Sequence, residues 1–278
     1  MNKTLIMIKA SYEALGKSEK KIADWVLSHP DEILPISISE LADKSSSSEA
    51  TIVRFSKRFG FSGFQDFKIS FADYTETKSI SANIERDDSC FDVFSKVTEE
   101  IYTALEKTKL SINRDALEKA SEAISNAPKL VIFGLGNSAS VALDASHKFL
   151  RAGINAYAYS DNHMQAIAAS HLTNGDVAMG ISHSGSSIDV VEAMKNAKAQ
   201  GAVTVALTSA AKSPLAKVSD IVLSTVADET KYSILALNSR IVQLTIIDSL
   251  YFHIICKRDK SAIEAIKATE TSLKDKKY

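Results

Sequence analysis

Four serine hydroxyls set among glycines could hold a phosphate group without carrying any charge themselves. They are Ser138, in Gly134-Leu-Gly-Asn-Ser138, and Ser182, Ser184 and Ser187, in Ser182-His-Ser-Gly-Ser-Ser187. A hydroxyl donates to a phosphate oxygen while staying neutral, which suits a ligand that is released as its concentration falls. Glycine permits positive φ and close backbone approach, and unpaired N–H groups at a helix start attract anions.

The elements that must position these loops are legible around them. The first loop follows the apolar run Leu130-Val-Ile-Phe133 and leads into helical spacing from Ala139 to Phe149. The second follows Val177-Ala-Met-Gly-Ile181 and leads into Ile188 to Ala199. Two strand-to-helix junctions of this kind open into one crevice of a parallel sheet. Either loop alone also fits ordinary helix capping at a strand end; it is their pairing that points to an anion site. Ala139 stands where a dinucleotide fingerprint needs its third glycine, and no Gly-Lys-Ser/Thr follows, so nucleotide sites rank low.

Ala156 to Tyr159, Val203 to Leu207 and Ile221 to Leu223 supply three more apolar strands, with helices between most of them. The pattern predicts an α/β domain, a doubly wound parallel five-stranded sheet. Asn238 to Ile255 reads as a long helix more apolar than a solvent-facing one, packed in the core or against a second subunit. Ahead of this domain, residues 1–75 read as short helices. Ser18 begins one that runs to Leu27, with Ile22, Ala23, Trp25 and Val26 near one face and His29-Pro30 as its stop. Residues 76–90 read as a polar linker, residues 91–260 as the α/β domain, and residues 261–278 as a polar tail that frays.

Composition narrows the class. The chain has 278 residues, 45% hydrophobic and 24% charged, with a net charge of −1. That balance excludes coating of nucleic acid by bulk charge, yet residues 44–68 hold five basic and two acidic side chains, a local basic face. No segment reaches the length of a membrane span, and the start is too short in its apolar core for a signal peptide, so a cytoplasmic protein is expected. Cys90, Cys256 and six scattered histidines give no disulfide or metal spacing, and no cofactor is expected.

Within the basic stretch, Ile38 to Ser45 and Glu49 to Phe59 read as two short helices joined by a turn at Ser46 to Ser48 and closed by Gly60. That is the layout of an all-α helix-turn-helix, whose second helix enters the major groove. Ile52, Val53 and Phe55 or Phe59 face the core, which leaves Ser48, Thr51, Arg54 and Lys57 or Arg58 outward. Arg54 can fork onto a guanine edge or a phosphate, and Ser47, Ser48 and Thr51 are small enough to let the helix approach the bases. Lys57, Arg58 and Lys68 are assigned to the DNA backbone. A solvated helical hairpin has the same helix geometry.

Ile38-Ser-Glu-Leu-Ala42, Ser48-Glu-Ala-Thr-Ile-Val-Arg-Phe55, Lys57-Arg-Phe-Gly-Phe61 and Gly63-Phe-Gln-Asp-Phe-Lys68 together resemble the RpiR family of bacterial transcription regulators. The second half is similar to the sugar isomerase (SIS) domain of that family, through both serine loops, Leu207-Thr-Ser209, Ser239-Arg240, Gln243 and Asp248-Ser-Leu-Tyr251. The resemblance implies Ser138, Ser182, Ser184 and Ser187 as phosphate ligands, Asn137 and Gly185 as residues shaping the loops, and Thr208 and Ser209 as groups reaching the sugar. It implies a double-stranded operator and a phosphorylated sugar as partners of a homodimer or homotetramer. The alternative is an aldose-ketose phosphosugar isomerase, which needs a positioned base; His183, Glu229 and His163 are the candidates, and an isomerase has no evident use for a helix-turn-helix.

Overall fold

A computed structural model describes residues 3–34, 36–71, 84–226 and 237–276. They form two compact units, divided between Glu100 and Ile101. Most of the expected linker and Glu229 lie outside the described residues.

The first unit is helical, with α1 at Lys3–Ser11, α2 at Lys17–Ser28, α3 at Ile38–Lys44, α4 at Glu49–Arg58 and α5 at Phe64–Ile69. Its core is aromatic: Phe67 lies 5.8 Å from Phe55, 5.5 Å from Phe61 and 5.1 Å from Phe71, all in edge contacts. Helix α2 starts one residue before the expected Ser18. Its N-cap is Gly16, whose N–H donates to the Glu19 carboxylate at 2.9 Å, so the third residue of the helix does the capping.

Helix α6, Cys90–Ser111, contains the division, and α7, Arg114–Asn126, follows it. In the second unit strands alternate with helices: β1 Leu130–Gly134, α8 Asn137–Arg151, β2 Ala156–Tyr159, α9 Asn162–Ser170, β3 Val177–Ile181, α10 Ile188–Ala199, β4 Val203–Thr208, α11 Pro214–Val218 and β5 Ile221–Ser224. The strands pair in the order β2-β1-β3-β4-β5, every pair parallel. β1 and β3 are fully buried, as continuous apolar runs require when helices cover both faces. One face packs on Ile124, Phe149 and the last long helix, and the other on Val190, Met194 and Leu215.

That last long helix is α12, Leu237–Arg258. Val242, Ile246, Ile247, Leu250 and Ile254 are buried, and all but Val242 join the core on the sheet, which accounts for most of the apolarity read in the sequence. The expected polar tail is instead a helix, α13, Lys260–Leu273. Ala262 is buried, Arg151 pairs with Glu270, and a Cβ on Gly153 would meet the Ala265 methyl at 2.8 Å. Small residues on one face let this polar helix dock on the end of α8, a signal that composition alone hides.

Asp220 fastens the far side of the sheet. Its carboxylate accepts from the Thr204 N–H at 3.0 Å and the Thr204 hydroxyl at 2.7 Å, and pairs with Lys198 at 2.6 Å. Partial burial opposes its ionisation, but the Lys198 ammonium and the two Thr204 donors outweigh that and hold the carboxyl below its ordinary value. A depressed carboxylate stabilises the fold above the ordinary Asp range, and that stability is lost as pH falls through the lowered folded value. Asp220→Asn is therefore expected to cost about 1 kcal/mol at neutral pH, the side chain being partly exposed. Thermal melts of the two proteins should converge as the solution is acidified below the carboxylate range.

Candidate functional site

The two serine loops leave the sheet side by side. Gly134, the last residue of β1, is in register with Ile181, the last of β3, so Leu135 and Ser182 begin their loops from neighbouring strands. Strand order reverses between β1 and β3, and ligands of doubly wound sheets bind at the carboxyl ends of strands at such a switch point.

The first loop turns on two glycines. Gly136 has φ +55°, and a Cβ on Gly134 would sit 2.7 Å from the Ser138 carbonyl oxygen. Ser138 and Ala139 donate their N–H groups to the carbonyls of Leu135 and Gly136 at 3.1 Å, closing the turn into α8. No side chain caps α8, its first turn holds no acid, and Asn137 is exposed beside a half-buried Ser138. The dipole end of a fifteen-residue helix thus faces the loop with no carboxylate in its own first turn.

The second loop is held from beneath. The carbonyl of His183 accepts from the Ser209 N–H at 3.0 Å, the Thr208 hydroxyl at 3.0 Å and the Ser209 hydroxyl at 2.8 Å. Leu215 donates its N–H to the Gly185 carbonyl at 3.0 Å. Ser187 precedes α10 but leaves it uncapped; its hydroxyl lies 3.2 Å from that of Ser182. Ser182 is buried, and Ser184 and Ser187 are half-buried. Neither loop contains a charged residue, so an anion there would be met by neutral donors.

Two of the residues expected to reach the sugar also hold up the second loop. Thr208 is fully buried, gives its hydroxyl hydrogen to His183 and accepts from the Ala210 N–H at 3.2 Å. The Ser209 hydroxyl donates to the His183 carbonyl at 2.8 Å and lies 3.3 Å from the His183 Nε2. His163 is exposed on the first turn of α9.

Sequence reasoning missed Gln165 and Ser213. Gln165 is fully buried on α9; its Nε2 donates to the Tyr159 carbonyl at 2.9 Å and the Gly134 carbonyl at 3.3 Å, tying the end of β2 to the start of the first loop. Two carbonyl partners fix the amide orientation, since the opposite flip would set oxygen against oxygen. Ser213 is buried, caps α11 and abuts Gly185. Both look like ordinary polar residues in the sequence, because their roles come from contacts distant along the chain.

In the helical unit, Ser37 and Glu40 form a reciprocal capping box at the start of α3. Ser46 takes the turn at φ +46°, Ser39 reaches Glu49 of α4 at 2.9 Å, and Ser48 caps α4 by accepting from the Thr51 N–H. Ser48, Arg54 and Lys57 are exposed and Ser47 is half-buried. Three expected DNA contacts stand differently. Thr51 is 9% exposed and bonds Ser48 and Arg54. Arg58 is exposed but crosses to α2, donating to Glu19 at 2.9 Å and to the Ala14 carbonyl at 2.7 Å. Lys68 is buried, its Nζ donating to the Ile36 carbonyl at 2.7 Å below the Phe64 ring. A short helix packed on the aromatic core turned this lysine inward, where its stem adds apolar contact.

Comparison with known proteins agrees with both halves. The model of the helix-turn-helix domain of the rpiR family matches residues 2–78, and that of the SIS domain matches residues 123–252. A protein of Caldanaerobacter subterraneus described as an HTH-type transcriptional regulator is 37% identical over 100% of this chain and 99% of its own length. The HTH-type transcriptional regulator HexR of Escherichia coli is 31% identical over 98% of this chain and 94% of its own. The structure of the Vibrio vulnificus NanR protein complexed with ManNAc-6P shares the fold, with a TM-score of 0.86 at 23% identity, covering 99% of this chain and all of that one.

Proposed function

The chain belongs to the rpiR family of helix-turn-helix transcriptional regulators with a SIS domain, and from that premise we propose that it binds an operator in double-stranded DNA and responds to a phosphorylated sugar. The observation that carries this reading is the pair of uncharged serine loops leaving β1 and β3 in register at the switch point. Ser138, Ser182, Ser184 and Ser187 hold the phosphate, Asn137 and Gly185 shape the loops, and Thr208 and Ser209 set the height of the second. The fold neighbour solved with ManNAc-6P supports a sugar phosphate as the ligand class.

On this reading the protein is a regulator of sugar metabolism in the cytoplasm, without catalysis of its own. Ser48, Arg54 and Lys57 face DNA, and a homodimer or homotetramer presents two helix-turn-helix units to a pseudo-palindromic site. Leu143 and Leu150, exposed on α8, support pairing of two subunits. Ligand binding changes operator affinity only through a preference for one arrangement of the paired units.

A thermal-shift screen of sugar phosphates against their unphosphorylated parents tests the site. A ligand at 100 times its Kd should stabilise the protein by about 2.7 kcal/mol. The shift is expected with a phosphorylated sugar only, and Ser184→Ala should remove it. No shift across the panel would count against a sugar-phosphate ligand. Turnover of a phosphoaldose into its ketose would restore the isomerase reading.

A further inference from the structure

Thr51 sits in the first turn of α4, where an outward threonine would touch a base, but it is only 9% exposed and its hydroxyl is committed to Ser48 and Arg54. It accepts from the Arg54 Nη2 at 3.0 Å and lies 2.8 Å from the Ser48 hydroxyl, whose oxygen also accepts from the Thr51 N–H at 3.2 Å. If Ser48 gave its hydrogen to Thr51, the buried threonine hydrogen would need a further acceptor. The polarity that leaves no buried donor over runs Arg54 to Thr51 to Ser48. It also frees the hydrogen of exposed Ser48 to point outward.

The consequence falls on Arg54. An unrestrained arginine loses rotamer freedom when it docks, and its first bond to a base must offset that loss. Here one Nη2–H is tied to a threonine that is itself buried in the helix surface. Either edge of the guanidinium uses just one of the two Nη2 hydrogens, so a two-pronged fork remains whichever is tied to Thr51. A fork of that kind matches guanine O6 and N7 in the major groove.

We propose that Thr51 is a positioning residue that presents Arg54, as a pre-oriented fork, to one guanine in each half-site. This rests on the DNA-binding reading above. A side chain that tunes base preference at this step is thus one that does not touch DNA.

The test is selection of full-length protein on a library of randomised duplexes, followed by anisotropy titrations on the selected duplex and its single-base variants across a salt series. Wild type is expected to select a motif with one guanine per half-site that Arg54→Lys relaxes. Thr51→Val, which keeps the threonine shape, should relax that same position about tenfold and leave the others unchanged, Thr51→Ser should restore it, and the double variant should be no more relaxed than Arg54→Lys. Uniform weakening by Thr51→Val across all sequences would place Arg54 on a phosphate and overturn the proposal, as would an unaltered motif. Arg54→Lys, exposed and therefore free of folding effects, would overturn it equally if its own loss is uniform. Failure of wild type to select any motif would defeat the DNA-binding reading and this inference together.

Discussion

Gly185→Ala is expected to empty the serine cradle and to destabilise its unit at the same time. The residue has φ +61°, a region that L side chains rarely adopt, and the added methyl carbon would fall 2.0 Å from the Ser213 Oγ and 2.4 Å from the Ser213 Cβ. Ser213 cannot yield easily, being fully buried and accepting from the Ala216 N–H at the start of α11. Backbone strain of about 1 kcal/mol adds to roughly 1–3 kcal/mol of overpacking. A total of about 2–4 kcal/mol corresponds to a Tm lower by roughly 5–15 °C in a domain of this size. Relief requires the second loop to lift away from Ser209 and Leu215, so sugar-phosphate stabilisation should vanish even in buffers where the variant is fully folded. Ser213→Gly in the same chain, by opening that space, should recover part of both; a melt of Gly185→Ala at the wild-type temperature would refute the packing argument.

Lys68→Ala is expected to destabilise the helical unit rather than to weaken a DNA contact. The ammonium is held against the Ile36 carbonyl and over the Phe64 ring, and the side chain is buried. Truncation removes a charge-assisted hydrogen bond and leaves a void, together worth about 3 kcal/mol. Lys68→Met keeps the stem and should lose about half as much. Trp25, the sole tryptophan, lies in this unit, so urea unfolding followed by its fluorescence reads the loss directly. Below the transition, the salt dependence of DNA binding should be unchanged in Lys68→Met. A slope smaller by about one would mean that this lysine neutralises a phosphate after all.

That contrast marks how far the sequence could be read. The strands of the sheet were legible because β1 and β3 are buried on both faces and their apolar runs end at glycine and serine. The two loops could be placed at one crevice for the same reason. Fates of single side chains were not legible. Lys57, Arg58 and Lys68 lie in one basic stretch, yet one is exposed, one is bound to α2 and one is buried. Helical periodicity gives the direction of a side chain from its own axis, and what waits there depends on α2 and on the Ile36 carbonyl, both far along the chain. Gln165 and the polar helix α13 escaped notice likewise, since each acquires its role from a partner on another element. Thr208 and Ser209 were found as groups facing a ligand; the hydrogen bonds by which they also support the neighbouring loop were not legible.

The absence of charge from both serine loops has a bearing on what the two halves of the molecule respond to. Binding by lysine and arginine to DNA falls steeply as salt rises, because counterions compete for the phosphates. Hydroxyls and backbone amides in a half-buried cradle have no net charge for added ions to screen, so occupancy by a sugar phosphate should vary little over the same range. Ionic strength and metabolite concentration would then act as independent inputs. On the proposed reading, one would set how firmly the protein rests on any duplex and the other how often the serine cradle is filled, so that a change in salt would not be mistaken for a change in sugar phosphate.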